Sequence, residues 1–520
     1  MSEINKLDID SSVKLKISTD LFIDINNNFV GENCLPEPRA DTPSMATETT
    51  VDRPAQEGGK PIPAEIANAI GHNRVSINMA WLLNAGYLVM FMAAGFALLA
   101  AGFSQAKNVT HTVTMVLMVY VMGTLGWWMC GFAFMFGGIG SISTLGGSSV
   151  LDTEITLTVF GKPWGIIGLK GFFLAGTMSD VGVFGIFLFQ KLFMDAANYI
   201  PTGAMAERWK YLALMIYALF MSMLLYPLFG NWVWGGGWLS QLGANYGLGH
   251  GHVDFAGGSV VHMVGGICAL TGAIALGPRE GKYTATGIPV VIPGHNIPMA
   301  ILGTFILAFG WFGFNPGSTL AGTDLRIAII ATNTMLSSAS GAVVATIYMW
   351  VRSGKPDPSM TANGLLAGLV AITAPCAFIN SFSAFIIGAV AGVLVVKSTF
   401  FIERTLRVDD PAGAIAVHAV NGAWGVISLG LFADGTYGDG WNGVMREEFV
   451  KMYGTDGVRG LFYGDPSQLL AECIGGASNC IVIFVLSWLF FKLLDKLIGN
   501  RVSQADERQG LDVSELGVQG

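Results

Sequence analysis

Two histidines sit at the same offset in two copies of one skeleton. "DFAGGSVVHMVGG" over residues 254–266 carries His262, and "DPAGAIAVHAVNG" over residues 410–422 carries His418. Each lies in a strongly apolar stretch, where an imidazole can donate a hydrogen bond at one nitrogen, accept at the other and hand on a proton. A single intramembrane histidine commonly donates to a carbonyl on a neighbouring helix, whereas two at matched positions point to a shared site. A metal pair is the rival chemistry, but it would want a third or fourth Cys, Asp or Glu nearby, and the neighbours are Val, Gly, Ala and Ile. Asp254 and Asp410 open the copies as helix N-caps, and Asp254 can also stabilise a cation. "NWVWGGGW" (231–238) and "GWFGFNPGSTLAG" (310–322) bring Trp234 and Ser318 to helix ends. There, ring faces and a hydroxyl can replace the water around a weakly solvated cation. Trp232 and Trp238 read as interfacial belt residues.

The elements that must hold these residues are transmembrane helices. The chain has 520 residues, 52% hydrophobic and 12% charged, too little charge for an ordinary globular surface of this size. Its 69 glycines suit helices that pack closely in lipid. The net charge of -8 and the scattered Lys and Arg argue against nucleic-acid binding. Six cysteines (34, 130, 268, 376, 473, 480) have no metal-ligand spacing and imply no disulfide framework.

Apolar runs long enough to cross the bilayer fall near 78–104, 110–136, 179–204, 209–229, 256–276, 296–316, 326–350, 361–378, 383–401, 412–433 and 468–497. The expected fold is therefore an all-α membrane protein of eleven transmembrane helices. Asp254 opens the fifth and Asp410 the tenth, so the copies run in opposite directions: an inverted 5+5 repeat plus a final helix, with a substrate path between the halves. Both histidines are expected about two turns in from their helix starts. Lys107, Arg208, Lys210, Arg279, Lys282, Arg352, Lys355, Arg404 and Arg407 follow odd-numbered spans, against Arg326 alone in the short loops opposite. This bias puts the N-terminus outside and the C-terminus inside. Residues 1–75 form a polar extracytoplasmic extension without the features of a secretory signal peptide, 76–500 the helical domain and 501–520 a cytoplasmic tail. Within the extension, "ENCLPEPRADTPSMATETTVDRPAQEGGKPIP" reads as a flexible, Pro-rich linker. The stretch "GSISTLGGSSVLDTEITLTVFGKPWGIIGLKGFF" forms a long loop between the second and third spans.

Several motifs, in order, resemble the Amt/Mep/Rh ammonium transporters, specifically the Amt branch. They are "GAMAER" (203–208), "VWGGG" (233–237), "DFAGGSVVH" (254–262), "GWFGFNPGS" (310–318), "RVDDPAGAIAVHAVNG" (407–422) and "DERQGLD" (506–512), covering about residues 78–512. The resemblance implies an outer ammonium site built by Phe193, Trp234 and Ser318, with Phe193 fourteen residues before Glu207. It implies a pore gate of stacked Phe193 and Phe314, a hydrophobic pore lined by His262 and His418 as hydrogen-bond and proton-relay groups, and Asp254 as the supporting acidic residue. The expected function is ammonium transport at the plasma (inner) membrane by a homotrimer, without cofactor, metal or enzymatic activity. Ammonium or ammonia is the substrate, with methylammonium a second candidate. The tail resembles the segment through which relatives contact PII-type signalling proteins; the alternative is a flexible tail without a partner. The other function class is an ammonium sensor with little conduction.

Overall fold

The computed structural model describes residues 63–176 and 180–518. Cys34 and the linker over 32–62 lie outside the described residues. Eleven long helices carry the architecture: α1 Pro63–Phe103, α2 Ala106–Phe136, α3 Val181–Ala204, α4 Tyr211–Trp234, α5 Gly258–Leu276, α6 Ile297–Gly317, α7 Arg326–Ser353, α8 Pro358–Thr373, α9 Ser381–Arg404, α10 Ile415–Phe432 and α11 Pro466–Ile498. Among the described residues, nine of these are long and apolar enough to cross a membrane by length and composition; the expected eighth and eleventh spans coincide with α8 and the 33-residue α11. The first helix begins at Pro63, so it runs through the boundary expected near residue 75.

Small residues set the helix spacing. α1 lies along α6, where a Cβ on Gly303 would come within 2.5 Å of the Leu99 amide nitrogen and one on Gly95 within 2.8 Å of Leu307 Cγ. Such approach lets backbones pack in lipid without a gap. The same device explains the end of the repeated skeleton. A Cβ on Gly266 would overlap the backbone of Ala419, and one on Gly422 would lie 2.7 Å from the Gly258 carbonyl oxygen. Each copy thus spends its last glycine on crossing the other. Gly257 and Gly413 also correspond, at φ +114° and +73°, a left-handed turn that favours glycine just before each helix.

The loop between α2 and α3 contains a β-hairpin, β1 Glu154–Val159 paired antiparallel with β2 Lys162–Gly168. It corrects the reading of Trp232 and Trp238 as belt residues. Trp232 is buried and donates from Nε1 to the Ile166 carbonyl at 3.0 Å, while Trp238 stacks on Trp164 with centroids 4.2 Å apart. The two indoles clamp the hairpin.

On the opposite face, the tail forms α12 Gln504–Gln509 and α13 Leu511–Ser514. Asp512 accepts from the Thr110 and His111 amides, 3.1 and 2.7 Å away, and Glu515 from the Tyr211 amide at 2.8 Å. The tail is docked on the starts of α2 and α4 rather than hanging free.

Nearby, Arg279 hydrogen-bonds Asp409 through Nε at 2.8 Å and pairs with Glu207, while Arg208 donates to the Asp409 carbonyl at 2.7 Å. Burial by itself would raise the Asp409 pKa. Arg208 and the hydrogen bonds from Arg279 outweigh it and hold the carboxyl well below the usual carboxylate range. The charged members of "GAMAER" and "RVDDPAG" are therefore tied together at this face. Glu207 adopts φ +71°, an uncommon conformation for a non-glycine residue.

Candidate functional site

The site begins at the hairpin face with a cavity of about 970 Å³ whose walls include Trp234, Ser318, Asp254, His252 and Gln190. Asp254 builds the wall by capping α5. Its Oδ1 accepts from the Gly257 and Gly258 amides at 3.0 and 2.7 Å, and its Oδ2 from the Ser259 amide and hydroxyl, both 2.7 Å, and the Val260 amide at 2.9 Å. Four backbone amides fix the carboxylate over the positive end of the helix, and the Ser259 hydroxyl is a fifth donor when its proton points this way. Its own carbonyl accepts from Trp234 Nε1 at 2.6 Å, which orients the indole in the same wall. Ser318, half-buried, donates its hydroxyl to the Phe314 carbonyl at 2.9 Å, leaving its oxygen lone pairs available to a guest.

Below Trp234 the rings continue inward. Phe193 lies edge-on to Trp234 at 6.1 Å and stacks on Phe314 at 4.0 Å and 17°. Both phenyl rings are fully buried. Phe314 lies 5.7 Å from the His262 ring, and His262 lies 5.2 Å from the His418 ring, which in turn neighbours Phe96 at 6.3 Å. A small cavity lined by His418, Phe96 and Tyr199 follows toward the tail face. The structure therefore brings Trp234, Phe193, Phe314, His262 and His418 into one column, with Asp254 and Ser318 at its hairpin-face mouth.

The histidines touch. Their Nδ1 atoms are 3.2 Å apart, which requires one ring to donate and the other to accept. The rings hence hold opposite tautomers: one presents a bare Nε2, the other an Nε2–H. Both lie in wider-than-α turns, Gly258–Met263 and Ile415–Val420, seen in the His262 amide bonding back five residues to the Gly257 carbonyl at 3.0 Å. Each is about one turn from its helix start, not two, because the glycine-containing turns after Asp254 and Asp410 are not helical. Asp410 caps more sparsely than Asp254, accepting from the Ile415 amide at 2.7 Å.

The residue reading missed parts of the column. Trp311 stacks on His262 at 5.3 Å and is held by Thr373, to whose hydroxyl its Nε1 donates at 3.1 Å. Its signal was the second residue of "GWFGF". Phe96 and Tyr199 carried no motif. Among the described residues, no group of three or more His, Cys, Asp and Glu side chains is arranged to hold a metal ion.

The fold is that of a helical membrane protein, with stacked aromatic rings and two facing imidazoles buried between its halves. The sequence model of the Ammonium Transporter Family matches residues 80–520, and the chain belongs to that family. It is 43% identical over 444 residues to ammonium transporter Amt2 of Archaeoglobus fulgidus, covering 84% of this chain and 87% of that protein. A solved structure described as a sensor Amt protein superposes with a TM-score of 0.72 at 33% identity, covering 85% of this chain and 99% of that one. Candida albicans Mep2 superposes at 0.68 with 25% identity, covering 83% and 87%.

Proposed function

We propose that this chain conducts ammonium nitrogen across the membrane by recruiting the cation at Trp234, Phe193 and Ser318 and passing ammonia through the ring column. The observation that carries the reading is the buried series Phe193, Phe314, His262, His418, which offers apolar faces and imidazole nitrogens along one line. An unpaired cation in such surroundings costs several kcal/mol or more. Ammonium escapes that cost by giving up a proton, whereas potassium cannot. At the mouth, cation-π contact supplies about 0.5–2 kcal/mol and Ser318 a hydroxyl acceptor.

In this reading Phe193 and Phe314 are the gate, the histidines exchange hydrogen bonds with the guest, and Asp254 favours the cation at the mouth. The hairpin face is the outer one, the N-terminus outside and the tail cytoplasmic, consistent with the Lys and Arg bias of the loops. Residues ahead of α1 are the extracytoplasmic extension, α1 through residue 500 the transport domain, with Pro63 in place of the boundary expected near 75, and 501–520 the tail. The working unit is a homotrimer in the plasma membrane, and the tail is the contact for a PII-type protein.

A sensor role is the second reading, favoured by the sensor Amt protein among the similar structures. Purified protein in liposomes separates the two. An ammonium-evoked current or pH change, lost or made permeable to potassium in His262→Ala and His418→Ala, supports transport. Binding without flux supports sensing.

A further inference from the structure

Ammonium must leave its proton somewhere before ammonia enters the column, and Asp254 is surrounded by donors. Beside it stands a second, buried set. His252 Nε2 is 2.9 Å from Ser259 Oγ, and His252 Nδ1 is 2.6 Å from Glu472 Oε2 on α11. Glu472 Oε1 is occupied by the Val253 amide at 2.9 Å and Gln468 Nε2 at 2.7 Å, so Oε2 is left for the imidazole. A Cβ at Gly475 would overlap the His252 ring, so that glycine makes its berth. His252 also lines the cavity at the mouth.

We propose that Ser259, His252 and Glu472 form the proton acceptor for ammonium in this cavity, an inference that rests on the transport reading above. His252 Nδ1 and Glu472 Oε2 make a close, fully buried ion-pair contact at 2.6 Å, and in the proposed resting state the imidazole carries its proton on Nδ1, beside the carboxylate. With Nδ1 protonated, Nε2 is the base. In the step proposed, an N–H bond of ammonium breaks and its electron pair stays on nitrogen as the ammonia lone pair. The proton passes, directly or through cavity water, to His252 Nε2, and the Glu472 carboxylate balances the imidazolium. Ser259 follows by rotation. Its single hydroxyl proton points to bare Nε2 before the transfer and to Asp254 Oδ2, 2.7 Å away, after it. Return of the proton to the outer solution resets the site.

The order Ser, His, Glu is that of an acyl-transfer triad, but the Ser259 hydroxyl is fully buried and tied to Asp254, which suits proton movement and not attack on a carbonyl. The charged groups facing His252 are Glu472 on α11 and Asp254 on the turn before α5. Burial works to lower the His252 pKa, and the Glu472 carboxylate more than offsets it, leaving it raised.

The test is ammonium-evoked flux in liposomes carrying wild type, His252→Gln, Glu472→Gln or Ser259→Ala, from about pH 5.5 to about pH 8 outside, spanning the ordinary histidine range. His252→Gln and Glu472→Gln should be slower by about tenfold or more at the alkaline end, where wild-type His252 is neutral and can accept. The deficit should shrink toward the acid end, where wild-type His252 already holds a proton. Ser259→Ala should fall between them and wild type. If one variant fails to fold, the other two read the same profile. Unchanged flux, or an equal slowdown at every pH in folded variants, overturns the proposal. A wild type without ammonium-dependent flux overturns the transport reading and this inference with it, a result distinct from unchanged variants beside a working wild type.

Discussion

Lys191 Nζ lies 2.6 Å from Asp195 Oδ2, one turn apart on α3 and both nearly fully buried. The two residues stand two positions before and after Phe193, about 200° round the helix from it. The Lys191 ammonium sits 3.4 Å over the Tyr120 ring of α2, so the pair fastens α3 to α2 behind Phe193. Removing one partner leaves the other charge uncompensated. Lys191→Met is expected to cost about 3–5 kcal/mol, whereas Lys191→Met with Asp195→Leu should recover most of that loss. Thermal unfolding of the detergent-solubilised protein checks it; equal losses in the single and double variants would show that the charges are not coupled.

Trp234→Leu removes the outermost ring face of the column while leaving Phe193, Phe314, His262 and His418 in place. The lost attraction of about 0.5–2 kcal/mol should raise half-saturating ammonium about two- to thirtyfold, with a smaller change in maximal flux. The concentration dependence of the liposome signal measures both, and an unchanged half-saturation would remove Trp234 from the recruitment site.

Gly266→Val and Gly422→Val place side chains where the two repeat copies cross. Overpacking of this kind costs about 1–3 kcal/mol or more, and it should separate the histidines as well as destabilise the fold. Yield of folded protein and its melting temperature give the readout. A valine tolerated at both sites at full stability would contradict the crossing described.

Asp409 gives a pH prediction. Its folded pKa is depressed, so its contribution is present above the unfolded value of about 3.9 and is lost as pH falls through the folded one. Melting temperature should therefore drop below about pH 4. Asp409→Asn should be less stable at neutral pH, with Arg279 and Arg208 losing their carboxylate, and should show a shallower acid limb. Parallel acid limbs in the two proteins would count against this assignment.

The helices and the twin histidines were legible because apolar run length and a repeated skeleton survive in one dimension. The Trp232 and Trp238 assignment failed for a physical reason: an indole at a helix end satisfies the same pattern whether it meets lipid or, as here, the backbone of a hairpin. The helical depth of His262 and His418 was overestimated because counting from Asp254 and Asp410 treats a left-handed glycine turn as helix. His252 stood in plain view in "GHGHVD", but its meaning depends on Glu472, more than two hundred positions away, and only folding joins them. Lys191 and Asp195 did carry a local sign, opposite charges four apart within an apolar run.

The shared proton between His262 and His418 breaks a symmetry that the backbone nearly keeps. Two halves of like design cross at like glycines, yet at any instant one ring gives where the other takes. Polarity at the centre of this molecule is thus stored in the placement of two hydrogen nuclei, the one between the rings and the one on an outer ring nitrogen. Reversing it calls for an exchange of tautomers and for no movement of the chain.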